Sequence, residues 1–84
     1  MQISVDLTKL DHNQETLTEK TVMELGTCDV VLFTSALPLA VDDLVLLRNP
    51  GSLLEVSAIV IGMLRQEGRR AVAARILRTS EPTN

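Results

Sequence analysis

Residues 54–61 read LEVSAIVI, and this stretch decides the fold class because its side chains alternate with a period of two. The apolar side chains of one face are those of Leu54, Val56, Ala58 and Val60. Glu55 and Ser57 lie on the opposite face. Such alternation is typical of a β-strand that buries one face. We therefore predict a strand here in which Val56, Ala58 and Val60 point into the core.

Strand-like segments recur on both sides of this stretch. They are residues 1–7, 15–25, 30–33, 44–47 and 70–77, each with alternation, strand-favouring residues or a short apolar run. Asn49-Pro50-Gly51-Ser52 predicts a type II turn with Gly51 at positive φ, and residues 66–68 predict a hairpin tip. Gly62 predicts a bulge or a bend. Because Ala and Arg favour helix, a helical alternative stays open for residues 69–78.

The number and spacing of these segments indicate one all-β domain. A chain of 84 residues is too short for a second core, so residues 1–84 are predicted to form a single domain with a polar tail from residue 79. Six short strands are expected to close into a barrel or a near-closed sandwich, because closure removes exposed strand edges. Phe33 is the only aromatic residue, so the core is expected to be aliphatic.

Composition and charge argue against several classes of function. The net charge is −3 and aromatic residues are almost absent, so neither phosphate attraction nor base stacking favours a nucleic-acid polymer as partner. No apolar segment approaches the length of a membrane span, and the N-terminus shows no signal-peptide pattern. The single cysteine excludes an intramolecular disulfide. We therefore expect a cytoplasmic protein.

Basic residues are concentrated near the end of the sequence. Residues 65–78 contain Arg65, Arg69, Arg70, Arg75 and Arg78 against the single acidic residue Glu67. One end of the fold is therefore predicted to be locally positive, and such a cluster could hold an anion. Strand alternation would place Arg70 and Arg75 on different faces, so a solvated surface is the simpler interpretation.

The residues that commonly carry catalysis or bind metals are few. Cys28 and His12 are the only cysteine and histidine, and together they fall short of a usual zinc ligand set. No nucleophile–base pair and no Gly-rich phosphate loop is evident. The adjacent acids Asp42 and Asp43 are interpreted as turn residues. We therefore predict no catalytic residues, no metal and no cofactor.

Four segments together resemble the strand order and loop spacing of a PilZ domain. They are residues 21–32, 37–46, 55–60 and 70–76. The resemblance covers nearly the whole chain and implies a six-stranded antiparallel PilZ-like barrel, a fold of bacterial signalling proteins. Many PilZ domains bind cyclic di-GMP through an N-terminal RxxxR motif and a downstream (D/N)xSxxG motif.

This chain departs from both ligand motifs of the family. Glu24 stands where the second motif has Asp or Asn, Gly26 where it has Ser, and Asp29 where it has the last Gly. No arginine precedes Arg48. A planar Arg fork is not replaceable by Ser or Asp, and Asp29 would place a negative charge beside an anionic ligand.

Three classes of function follow from these observations. The leading hypothesis is a non-catalytic PilZ-like module that contacts a partner protein or an adjacent domain. The alternative is a sensor that binds cyclic di-GMP or another anion through Arg48, Arg65, Arg69 and Arg70. A small enzyme is the least favoured class because no catalytic constellation is evident. An RxxxR motif immediately upstream of Met1 would favour the sensor.

Overall fold

The computed structural model describes residues 2–10, 17–27, 29–52, 54–66 and 68–77. Six strands form in chain order: β1 (Gln2–Lys9), β2 (Leu17–Leu25), β3 (Val30–Ser35), β4 (Leu44–Arg48), β5 (Glu55–Gln66) and β6 (Arg69–Ile76). They close into a barrel in the order β1-β2-β3-β6-β5-β4, and every pairing is antiparallel. The predicted all-β, six-stranded antiparallel barrel is confirmed. Residues 69–76 are strand, so the helical alternative for this segment is wrong.

The barrel interior is aliphatic, as the composition predicts. Its buried side chains are Val5, Leu7, Met23, Val31, Phe33, Leu39, Val45, Leu47, Ala58, Val60, Val72 and Ala74. Within each strand they alternate with outward residues, because successive side chains of a strand point to opposite faces. Ser35 is the one buried polar residue among the described residues.

Strand β5 follows the predicted register. Ala58 and Val60 are fully buried and Val56 packs against the core, whereas Glu55 is exposed. The pairing with β6 shifts by one residue between Val60 and Gly62, which confirms the bulge expected at Gly62. Beyond the bulge, β5 continues to Gln66 and its ladder is with β6 alone.

Residues 36–43, which connect β3 to β4, cross one end of the barrel. Leu39 is only 3% exposed and joins the core from this connector. Backbone bonds tie the connector to β5, since Asp42 N–H donates to the Val60 carbonyl and Val60 N–H donates to the Asp43 carbonyl. We call this the capped end. The opposite end, which carries the β2–β3 and β4–β5 turns, is the turn end.

Two turns at opposite ends of the barrel differ in their use of glycine. Gly51 does not adopt a positive φ, so the predicted type II turn is wrong. Instead, Ser52 N–H donates to the Asn49 carbonyl and Gly51 N–H donates to Asn49 Oδ1 at 2.7 Å, so the Asn49 side chain organises the turn. Gly68, at the tip of the β5–β6 hairpin, has a φ of 83°, a conformation that favours glycine. The predicted hairpin tip is confirmed.

Candidate functional site

Three of the four predicted ligand-binding arginines lie together at the capped end. Arg65 and Arg70 are cross-strand partners at the top of the β5–β6 hairpin, and Arg69 is the first residue of β6. Together with Ser35 and Gly68 they line a pocket of about 330 Å³. The predicted local concentration of positive charge is therefore present at this end of the fold.

Two of these arginines are engaged within the protein. Arg70 Nη1 donates to the Leu39 carbonyl at 2.9 Å and so holds the connector over the barrel. Arg69 Nη2 donates to Glu19 Oε2 at 3.0 Å. Arg65 is exposed and makes no hydrogen bond or ion pair with another described residue. Of the three, Arg65 therefore has the guanidinium group that is free to bind an anion.

The carboxylate of Glu19 is the polar centre of the capped end. It accepts hydrogen bonds from the Ser35 hydroxyl at 2.7 Å and from Ala36 N–H at 3.1 Å, in addition to Arg69. The backbone ladder between β2 and β3 covers only residues 23–25 of β2. The Thr21 hydroxyl donates to the Thr34 carbonyl. The side chains of Glu19 and Thr21 therefore join β2 to β3 beyond the part that the backbone ladder covers.

The fourth predicted arginine lies far from the other three. Arg48 ends β4, where it is the register partner of Asp6 on β1 and of Glu55 on β5. Ten residues of β5 separate Glu55 from Arg65, which corresponds to about 30 Å along a strand. Arg48 is therefore flanked by carboxylates at the turn end, and the structure does not bring it to the arginines of the capped end.

The positions of the degenerate motif also lie at the turn end. Glu24 is exposed on the outer side of β2, while Gly26 and Asp29 belong to the β2–β3 turn. Gly26 N–H donates to the Val30 carbonyl at 2.7 Å, and a Cβ at residue 26 would lie 3.1 Å from that oxygen. Asp29 has a φ of 63°, the conformation that a glycine adopts without cost. The motif positions and the arginines of the capped end therefore do not form one site.

A concave apolar surface lies on the outside of the barrel. It is a groove of about 630 Å³ over β2, β3, β6 and β5. Exposed apolar side chains and small residues line this groove. We call the following residues the outer apolar face: Val22, Leu32, Gly62, Leu64, Ala71 and Ala73. Leu64 is 64% exposed, and Leu32 is 45% exposed. Glu24 is the only charged side chain among the described lining residues.

The sequence carries only a weak signal for this face. Residues 30–33 form an apolar run, and the segment around residues 59–64 is apolar on both faces of the strand. When a strand is apolar on both faces, the face that points away from the core is either covered by another element or exposed. Periodicity in the sequence does not distinguish these two cases. Closure of the barrel resolves the question, because it places Leu32 and Leu64 on the outer surface.

Several sequence-predicted residues lie outside the described ranges. These are Cys28, His12, Arg78 and the polar tail. Within the described ranges no three His, Cys, Asp or Glu side chains are grouped so that they could hold a metal ion. Those ranges also hold no helix that is long and apolar enough to cross a membrane. The chain matches no protein-family model, no curated protein and no solved structure.

Proposed function

We propose that this chain is a non-catalytic, PilZ-like interaction module that contacts a partner protein or an adjacent domain through its outer apolar face. The observation that carries the proposal is the exposure of Leu64 and Leu32 beside a groove of about 630 Å³. Large contiguous apolar patches are uncommon on monomeric soluble proteins and mark sites of interaction.

The energetics of this face favour binding over chemistry. Full burial of one fully exposed leucine side chain contributes about 1.5–3 kcal/mol, and Leu64 and Leu32, at 64% and 45% exposure, together offer about that much to a partner. Glu24 is the only charged side chain in the described lining. An apolar surface with one carboxylate provides contact area but no nucleophile–base pair.

Site-specific photo-crosslinking tests the proposal. Leu64 is replaced by a photoreactive benzophenone amino acid, and the chain is irradiated in an extract of the cells that naturally contain it. We expect a discrete adduct from residue 64 and none from the same replacement at Glu55, which is exposed at the other end of the same strand.

A second substitution makes the crosslinking result specific. Ala71 is the cross-strand neighbour of Leu64, so Ala71→Arg would fill the groove without touching the barrel interior. The adduct from residue 64 should then disappear. An adduct that survives Ala71→Arg, or equal adducts from residues 64 and 55, would contradict the proposal.

The clustering of Arg65, Arg69 and Arg70 around a pocket of about 330 Å³ favours one second function, the binding of cyclic di-GMP or another anionic nucleotide. Arg65 would then be the main contact, since Arg69 and Arg70 are engaged within the protein. Calorimetric titration with cyclic di-GMP tests this second function. Binding that Arg65→Ala abolishes and Arg48→Ala preserves would support this function, and absence of saturable binding would contradict it.

A further inference from the structure

The half of β5 at the capped end has an unpaired backbone edge. From Glu55 to Ile59 the strand pairs with β4, and at Val60 the connector takes the place of β4 through residues 42 and 43. Residues 61–66 pair with no strand other than β6, and no backbone bond from another described residue reaches their opposite edge. We call this the free edge. About every second N–H and C=O group of residues 61–66 points to it and is available to a partner.

The free edge is accessible, and no side chain bridges it. Ile61, Leu64 and Arg65 are exposed, so solvent reaches this half of the strand. The gap in the ladder between β2 and β3 differs in this respect, because the side chains of Glu19 and Thr21 bridge it. A strand edge with unpaired N–H and C=O groups is a template for pairing with another extended chain.

Arg65 gives the free edge a preference for an acidic partner. It lies directly opposite Arg70 on β6, and like charges in this position repel each other. Arg70 is held by the Leu39 carbonyl, whereas Arg65 makes no hydrogen bond or ion pair with another described residue. A strand added at the free edge would place a side chain about 5 Å from Arg65 on its other flank. An acidic side chain there would offset the repulsion.

The free edge of a second copy does not provide that acid. Residues 61–66 read IGMLRQ, so pairing two free edges would only bring further arginine to an edge that already has Arg65 and Arg70. Leu64 points to the opposite face from Arg65, since it is the next residue along the strand, and it is exposed. The partner side chain beside Leu64 is therefore expected to be apolar.

We infer that the free edge of β5 binds an extended segment of another protein, which adds a strand beside β5 and carries alternating acidic and apolar side chains. The main chain of the segment supplies hydrogen bonds, while Arg65 and Leu64 select its side chains. The inference goes beyond the proposed function, because this site recognises a backbone at the edge of the sheet, whereas the outer apolar face offers a groove on the surface of the sheet.

Hydrogen exchange followed by NMR tests whether the edge is free in the unbound chain. Within residues 62–66, amides that point to β6 should be protected, and the alternate amides should exchange at least about a hundredfold faster. Ala58 and Ile59 are the internal control, because they pair with both β4 and β6 and should both be protected.

A synthetic peptide tests the binding of an extended segment. The probe has eight residues in which valine alternates with threonine, except that glutamate replaces one central threonine. At millimolar concentration it should protect the fast amides of residues 62–66. Two N-methylated forms distinguish backbone pairing from side-chain contact: methylation of the valines blocks one edge of the peptide, and methylation of the alternate residues blocks the other. One form should lose binding, and the other should keep it.

Charge reversal tests the selection by Arg65. Arg65→Glu should weaken binding of the peptide about tenfold, because an attractive cross-strand pair becomes repulsive, and a peptide with lysine in place of glutamate should recover the affinity. Arg75→Glu is the matched control, since Arg75 is exposed but pairs with Ile59 outside the free edge, and it should change the affinity little.

Protection of every amide of residues 62–66 in the unbound chain would overturn the inference. Protection that increases with protein concentration would assign the edge to a second copy, and protection that does not would assign it to a segment of this chain. Absence of protection by the peptide, equal binding of the two N-methylated forms, or no effect of Arg65→Glu would also overturn it. Peptide binding that Ala71→Arg abolishes would place the peptide in the groove of the outer apolar face instead.

Discussion

The two ends of the barrel are closed by different kinds of bond. At the capped end, side chains from three strands hold one connector: Lys9 Nζ donates to the Pro38 carbonyl, Arg70 donates to Leu39, and Glu19 accepts from Ala36. At the turn end, short segments bond mainly to themselves, as in the Gly26–Val30 and Asn49–Gly51 pairs. Closure of the capped end therefore depends on side chains from distant strands together with the backbone bonds to Val60, whereas the turn end is held mainly by bonds within short segments.

The largest loss of stability should come from removing the buried apolar side chain of the connector. Leu39→Ala removes a side chain that is 3% exposed and leaves a cavity under the connector, so we expect a loss of about 2–4 kcal/mol in the free energy of unfolding. Urea denaturation measures it. Leu54→Ala is the matched control at the turn end, where the leucine is exposed and a change within about 0.5 kcal/mol is expected. Equal losses would show that the connector does not close the barrel.

The next largest loss of stability should come from removing the polar contacts of Glu19 at the capped end. Glu19→Ala leaves the fully buried Ser35 hydroxyl without its acceptor and frees Ala36 N–H, so we expect a loss of about 1.5–3 kcal/mol. Arg69→Ala should cost less than about 1 kcal/mol, because its side chain is 51% exposed and the ion pair is screened by solvent. Thermal unfolding of both variants shows which substitution lowers the stability more. A larger loss for Arg69→Ala would assign the stability to the ion pair instead of the hydroxyl and amide contacts.

In the β2–β3 turn, backbone geometry should matter more than side-chain chemistry. Gly26→Ser introduces the residue that the PilZ motif has at this position, but it brings a Cβ within 3.1 Å of the Val30 oxygen, which is fixed by its bond to Gly26 N–H. We expect a loss of about 1 kcal/mol in denaturant titration. Gly62→Ala is the control, since a Cβ there meets no atom within 4 Å. Equal stability of the two variants would show that the β2–β3 turn tolerates the approach.

The smallest expected effect has the opposite sign. Asp42, in the connector, has a φ of 77°, which costs an L-residue free energy that glycine avoids. Asp42→Gly should therefore raise the free energy of unfolding by up to about 1 kcal/mol, reduced by the greater freedom of glycine in the unfolded chain. Differential scanning calorimetry would show a small rise in Tm. A fall in Tm would indicate that the Asp42 carboxylate stabilises the connector more than its conformation costs.

Local patterns in the sequence predict the barrel well. The alternation in residues 54–61 predicts which side chains of β5 are buried, and Gly62 predicts the bulge. Both signals are local. Alternation sets which side chains of a strand point inward, and a glycine allows a bulge within its own strand. The exception is Gly51, where Asn49 organises the turn without a positive φ, although Pro-Gly favours a type II turn.

The candidate sites could be predicted only in part, because they depend on pairings between distant strands. The charge asymmetry predicts a positive end, and Arg65, Arg69 and Arg70 do lie together. Nothing in the sequence near Glu19 indicates that its carboxylate would meet Ser35 and Arg69, since those contacts exist only after β2, β3 and β6 come together. The same closure separates Arg48 from the other arginines and exposes Leu64.

The strand order has a consequence for how the chain folds. Four of the six seams join strands that are consecutive in the chain, but the β1–β4 and β3–β6 seams join strands that are far apart in sequence. Closing those two seams orders long loops before their contacts form, and barrels dominated by such pairings fold in milliseconds to seconds, not microseconds. The β5–β6 hairpin, whose strands meet across a tight glycine turn, is expected to form first and to serve as the template on which β3 and β4 assemble.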